Sequence, residues 1–280
     1  MNDQIARLGA SLIQHGPSND RVYLMHLAPG ETETVIPAIE ALAEKHGYSK
    51  LFVKVPDAAK EKFTEAGYRI EAHIPGMYGG TEDGWFLARY PDPSRADAGE
   101  AKTAISDVLT AAKKTAATPT TCPLPDGYEI AEATPDDAPA LAALYREVFA
   151  TYPFPVHDPA YLRDTMDDDV RYFLIKNGDT VVAASSAEVD HAGQNAEMTD
   201  FATHPAARGR GFCPVLLQTM EEEMRRAGIC TVYTIARAAF YPITITFARA
   251  GYRFGGTLIN NTQICGAFES MNVWYRSLGE

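Results

Sequence analysis

Apolar residues along the chain fall into two alternating patterns. Short β-rich runs are separated by longer stretches in which apolar positions recur every three or four residues, so strands interleaved with helices are predicted. In the first ninety residues a strand is predicted at 21–27. A helix follows over 32–46, with Val35, Ile36, Ile39, Leu42 and Ala43 on one stripe and Gly47 as its stop. A short strand at 51–55 leads through Pro56-Asp57 into a helix over 58–66 ended by Gly67, and strands are predicted at 68–74 and 85–90 around the turn-rich loop 75–80. Residues 91–125 change character, with a helical alanine- and lysine-containing stretch through Lys114 and then threonine and proline, which reads as a connector.

From Tyr128 the pattern restarts. A strand at 128–132 precedes a helix that starts at Asp136 or Asp137 and turns Leu141, Leu144, Tyr145 and Val148 inward. After the proline-rich loop 151–159 and a short helix to Met166, strands at 171–176 and 180–189 are joined by Asn177-Gly178, a two-residue hairpin signal. Later elements are a strand at 231–236, a helix ending before Gly251, a strand at 252–258 and a last strand at 273–275. Phe63 to Ile70 (FTEAGYRI) parallels Phe247 to Phe254 (FARAGYRF). Such endings are also common helix C-caps; a degenerate internal repeat is the reading adopted, with a first copy that lacks the glycine turn described next.

The stretch 196–226 organises the rest. Met198, Phe201 and Thr203 suit a strand that Pro205 ends, Arg208-Gly209-Arg210-Gly211 makes a turn, and Val215, Leu216, Met220 and Met224 recur at helical spacing. Strand, glycine turn and helix present free backbone N–H groups at the positive end of a helix dipole, worth roughly half a unit charge, where a phosphate fits. A P-loop would need GxxxxGK with Ser or Thr, which is absent, and a dinucleotide fingerprint would need glycine where Pro214 stands. An ordinary tight turn with surface arginines is the plain alternative.

At 280 residues the chain is long enough for one large or two ordinary domains, and its net charge of −12 argues against a general nucleic-acid binder. No apolar run approaches the roughly 20 residues of a membrane helix, and Met1-Asn2-Asp3-Gln4 lacks the features of a signal peptide. A cytoplasmic location is therefore expected. Cys122, Cys213, Cys230 and Cys265 are scattered without metal-ligand spacing and read as free thiols; no metal is expected.

The order of strand, Pro205, Arg208-Gly209-Arg210-Gly211 and helix resembles the acetyl-CoA-binding motif of the GNAT acyltransferases. The resemblance implies a GNAT fold of α/β (α+β) class, a central mixed, mostly antiparallel sheet flanked by helices, over residues 126–280. A linker with a helix (93–125) and a smaller α/β, degenerate GNAT-like domain (1–92) would precede it. The runs 200–203, 220–223, 233–238, 245–248, 255–262 and 268–275 resemble the branch of the family that acetylates the ε-amine of β-lysine to make a zwitterionic compatible solute. Acetyl-CoA as co-substrate and a small amine as acceptor follow from the resemblance. Another small amine or amino acid, or a non-catalytic acyl-CoA-sensing module, are the alternatives; a homodimer is compatible with the sequence.

The resemblance assigns Phe201, Ala202 and Thr203 to the pantetheine arm and Ala207, Arg208, Gly209, Arg210, Gly211 and Phe212 to the pyrophosphate. A lysine-type ammonium has a pKa of about 10.4, so neutralising it at pH 7 costs on the order of 4–5 kcal/mol and calls for a proton acceptor. Glu197 and Asp200 are the candidates; three residues apart on a regular strand they point to opposite faces, so only one is expected to reach the acceptor. Phe247 stands where many members place a thiolate-protonating tyrosine. Tyr241, earlier in that segment, is a replacement acid or a packed aromatic. Ala206 and Cys213 also depart from the usual pattern. Tyr152 and Phe154 are expected to flank the acceptor's aliphatic stem, and Asn260, Asn261 and Glu269 its carboxylate and β-ammonium, unless these are turn residues.

Overall fold

The computed structural model describes residues 3–115 and 123–279. Cys122 lies outside them. The N-terminal half runs β1 (Gln4–Leu8), β2 (Ser11–Gly16), β3 (Arg21–His26), α1 (Thr32–His46), β4 (Lys50–Pro56), α2 (Asp57–Glu65), β5 (Arg69–Tyr78) and β6 (Glu82–Arg89). The connector forms α3 (Ala101–Thr115). The C-terminal half runs β7 (Glu129–Glu132), α4 (Ala138–Val148), α5 (Pro159–Asp167), β8 (Val170–Asn177), β9 (Thr180–Asp190), β10 (Asn195–Thr203), α6 (Phe212–Arg226), β11 (Thr231–Arg237), α7 (Tyr241–Arg249), β12 (Arg253–Ile264) and β13 (Ala267–Ser277).

The thirteen strands of the described residues form one sheet, in the order β1-β2-β3-β4-β6-β5-β12-β13-β11-β10-β9-β8-β7. The two halves mirror each other about the β5–β12 seam. In each, a parallel pair (β3 with β4, β10 with β11) is followed by a helix and an antiparallel hairpin (β5 with β6, β12 with β13) whose second strand pairs with the parallel partner. The sequence repeat sits at equivalent corners. Phe63 meets Tyr68 edge-on at 5.2 Å and Phe247 meets Tyr252 at 4.8 Å, while Gly67 and Gly251 take φ of 84° and 83° to end their helices.

The hairpin β1–β2 was not foreseen. Ser11, Gln14 and His15 are buried on β2, so its apolar alternation is blurred. One core packs α1 and α2 onto the first half, with Ile39, Val53 and Phe63 at its centre; another packs α6 and α7 onto the second around Met198, Met220 and Phe247. A further core is shared. Tyr23, Phe52 and Phe86 from the first half meet Tyr233, Leu258 and Val273 from the second. The seam itself is narrow, with Gly256 opposite Ala72, because a side chain there would strike Glu71 O at 2.1 Å.

Polar contacts extend the seam. On β12 the register against β13 slips between Leu258 and Thr262, and Asn260 takes a φ of 44°. The three carbonyls of this bulge are each captured by a cation of the first ninety-five residues: Lys50 Nζ donates to Ile259 O (2.7 Å), Arg95 Nε to Asn260 O (3.1 Å) and Arg21 to Asn261 O.

Candidate active site

β10 and β11 run in parallel register only from Asn195↔Thr231 to Glu197↔Tyr233. Beyond that point both strands continue, and a cavity of about 850 Å³ is lined by Thr199, Phe201 and Thr203 of one and Thr234, Ile235 and Ala236 of the other. One end of the cavity is the glycine turn. Gly209 and Gly211 take φ of 79° and 78°, and a Cβ built on either meets nothing within 4 Å. The amides of Gly209, Arg210 and Gly211 donate to no group among the described residues, and α6 begins at Phe212 with its first turn facing the cavity. Arg208 and Arg210 form no ion pair among the described residues, and Arg210 lies over Tyr128 (5.9 Å). Free amides, open glycines, two unpaired guanidinium groups and a helix N-terminus fit a diphosphate. Ala207 and Phe212 are buried and fix this turn to the core; Ala202 is buried between α4 and the sheet, while Phe201 and Thr203 reach the cavity.

Deeper in the same cavity stand three carboxylates. Glu197 lies opposite Glu188 across the antiparallel β9–β10 pair. Next comes a departure from the expected geometry: β10 bulges between Thr199 and Ala202, with Asp200 at a φ of 55°. The extra residue resets the alternation, so Glu197 and Asp200 both line the cavity instead of pointing to opposite faces. Their surroundings differ. Asp200 is held by the Tyr152 hydroxyl and by Ser186 Oγ at 2.6 Å; burial raises its pKa and these donors oppose the shift. The Tyr233 hydroxyl, the Ile235 amide and Lys54 lie close to Glu197 and favour its ionised form.

Glu188 and Glu197 face the open cavity, yet protein surrounds them densely, and burial followed by carboxylate repulsion carries the pair upward, Glu188 to about 8 and Glu197 to about 7, against the pull of Lys54. Lys54 Nζ is 3.0 Å from the Tyr233 hydroxyl. Among the described residues no cluster of His, Cys, Asp or Glu is arranged to hold a metal ion.

The remaining expected residues divide. Tyr152, Phe154 and Asn261 line the cavity. Tyr152 does so as the donor to Asp200 rather than as a bare aromatic wall. Asn260 and Glu269 are not in the lining: Asn260 Nδ2 donates to Arg95 O (3.0 Å) and Asp97 O (2.8 Å), and Glu269 pairs through both oxygens with Arg237. Tyr241 opens α7, is 46% exposed and lies outside the lining; Phe247 is fully buried against Phe201. The position at which the resemblance expects a thiolate-protonating tyrosine is thus a buried phenylalanine. Cys213 does line the cavity, but burial pushes its thiol up to about 12, so it is neutral and poorly suited to take the acyl group itself.

Sequence reasoning missed Glu188, Lys54, Tyr23 and Arg21, all of which line the cavity. Glu188 was within reach, since a hairpin closing Asp190 on Asn195 sets it against Glu197. The other three come from β3 and β4, far away in sequence.

Residues 140–252 match the Acetyltransferase (GNAT) family. Over its whole length the chain is similar to the beta-lysine N(6)-acetyltransferase of Methanococcus maripaludis, with 37% identity over 274 residues and 98% of each chain covered. It is 32% identical to the enzyme of the same name from Methanosarcina mazei, covering 89% of this chain and 98% of that one. It is also 31% identical to the N-acetyltransferase YodP of Bacillus subtilis, covering 96% of each.

Proposed function

The chain belongs to the GNAT acetyltransferase family, and we propose on that footing that it transfers the acetyl group of acetyl-CoA to the ε-amine of β-lysine, giving a zwitterionic compatible solute. Two relatives that match almost end to end carry that activity in their names. The observation that carries the chemistry is the continuity of one cavity from the glycine turn to the buried carboxylates.

In this reading the amides of 209–211 with Arg208 and Arg210 bind the coenzyme diphosphate, and acetyl-CoA supplies a thioester at the mouth of the split between β10 and β11. Glu197 takes a proton from the incoming ammonium. Its elevated pKa brings it near neutrality, where a general base is most effective. Lys54, Tyr233 and the Ile235 amide hold that carboxylate in place. Asp200, already engaged by Tyr152 and Ser186, fixes the 149–158 loop over the acceptor. The neutral amine then attacks the thioester carbonyl, and a backbone N–H of β10 steadies the developing negative charge. The coenzyme leaves as a thiolate with a pKa near that of cysteine, about 8.5, which departs without an acid and takes up the proton that the attacking nitrogen sheds as the amide forms.

The test is direct. Purified protein with acetyl-CoA and β-lysine is expected to release free thiol well above the no-acceptor rate, with the product acetylated at the ε-nitrogen by NMR. Release with other amines but not with β-lysine would overturn the acceptor assignment.

A further inference from the structure

Three cations of the first half dock on the β12 bulge, and they are not equivalent. Lys50 has Glu71 at 2.9 Å and Arg95 has Asp20 at 3.3 Å. Arg21, only 4% exposed, makes no ion pair among the described residues, and the carboxylates of Asp3 and Glu197 act on it only from beyond contact distance. Its guanidinium is spent on neutral acceptors alone, Asn261 O and Gln14 Oε1 (3.3 Å), and its Nε is buried with no acceptor at all. A buried guanidinium with no carboxylate in direct contact is costly, and five donors with two engaged leave room for one. Arg21 is also the one of the three that lines the cavity.

A second orphan adjoins it. Asn261, whose backbone oxygen takes the Arg21 hydrogen bond, is 2% exposed and has an unpartnered side-chain Oδ1, and it too lines the cavity. One wall thus offers a spare cationic fork next to a spare acceptor, which is the complement of a carboxylate carrying a neighbouring ammonium. The same cavity also carries the acidic trio, which suits a second ammonium. From this we infer that Arg21 binds the acceptor's carboxylate and Asn261 its adjacent ammonium, so the N-terminal half is the part of the chain that selects amino acids over plain amines. Arg21 remains cationic at neutral pH even after burial lowers its pKa to about 10. The inference deepens the acceptor assignment and rests on the acetyltransferase reading.

Paired acceptors test it: β-lysine with 1,4-diaminopentane, and lysine with 1,5-diaminopentane, each amine being its amino acid without the carboxylate. Wild type is expected to prefer an amino acid over its partner by at least roughly 30-fold in kcat/KM, the scale of a charge-assisted fork. Arg21→Met should raise KM for the amino acid by a similar factor, bring the pair level and leave the affinity for CoA within about twofold; Arg21→Lys should fall between. If Arg21→Met does not fold, judged by lost CoA binding in calorimetry, the wild-type preference and Arg21→Lys decide. Equal use of both members by wild type, or a preference that survives in Arg21→Met, would overturn the inference while leaving acetyl transfer intact. Preference within the lysine pair alone would instead move the acceptor assignment and keep Arg21, and no release with any acceptor would sink both.

Discussion

Glu197 and Glu188 face each other across an antiparallel pair, an arrangement that usually destabilises a sheet. In the proposed mechanism Glu197, carried up to about 7 chiefly by burial, must be ionised to accept a proton, so kcat/KM for the acceptor should fall as pH drops through about 7. In Glu197→Gln this limb should vanish, with activity at pH 7 down on the order of 10²-fold and recovering toward the pKa of the amine. Asp200→Asn should act differently, chiefly on the acceptor KM, because it loosens Tyr152. Equal small effects from both would mean that the proton goes elsewhere. Glu188 gives a stability counterpart. Its folded pKa of about 8 lies above the unfolded value of about 4.5, so its ionised form weighs against the fold as pH rises. Glu188→Gln should match wild type in melting temperature near pH 4.5 and exceed it by pH 8.5.

At the scale of elements, the glycine turn was legible because its chemistry is local: two positive-φ glycines, a proline before them and a helical stripe after. Gly211→Val needs a β-branched residue at a φ of 78° and puts a side chain into the open space beside the turn, where the proposed diphosphate would approach. CoA affinity in calorimetry should fall at least about tenfold, and unchanged affinity would refute the cradle. The bulge at Asp200 was not legible, since period-2 alternation carries no sign of an inserted residue. Asn260 and Asn261 were read as one recognition pair, but a bulge sends the first to the Arg95 strap and the second to the cavity. Arg21 and Lys54 escaped for a different reason. Nothing local distinguishes a strand residue that will meet a wall more than 140 positions later.

At the scale of the whole molecule, the halves share a topology but not the glycine turn proposed to hold the coenzyme. Where α6 opens with Gly211, α1 is preceded by Glu31, whose carboxylate accepts from Ala10 N, Ser11 N and Ser11 Oγ. A carboxylate at that helix start repels a diphosphate, and β3 stays paired with β4 through Leu24↔Val53. Calorimetry should therefore count one CoA per chain, and two would overturn this account. The seam offers a further handle. Gly256→Ala sets a methyl against Glu71 O, so stability should fall by about 1–3 kcal/mol, read as a lower melting temperature.

That seam has a consequence beyond energetics. Joining β5 to β12 leaves β1 and β7, of five and four residues, as the outermost strands of the thirteen. Parting the halves would uncover the facing edges of β5 and β12 and free the three β12 carbonyls now held by Lys50, Arg95 and Arg21, giving each edge the means to pair with a neighbouring molecule. Mutations that weaken the join are thus expected to surface first as turbidity in a concentrated sample, before any loss of helical signal, so that colloidal behaviour becomes the most sensitive gauge of whether the two halves remain together.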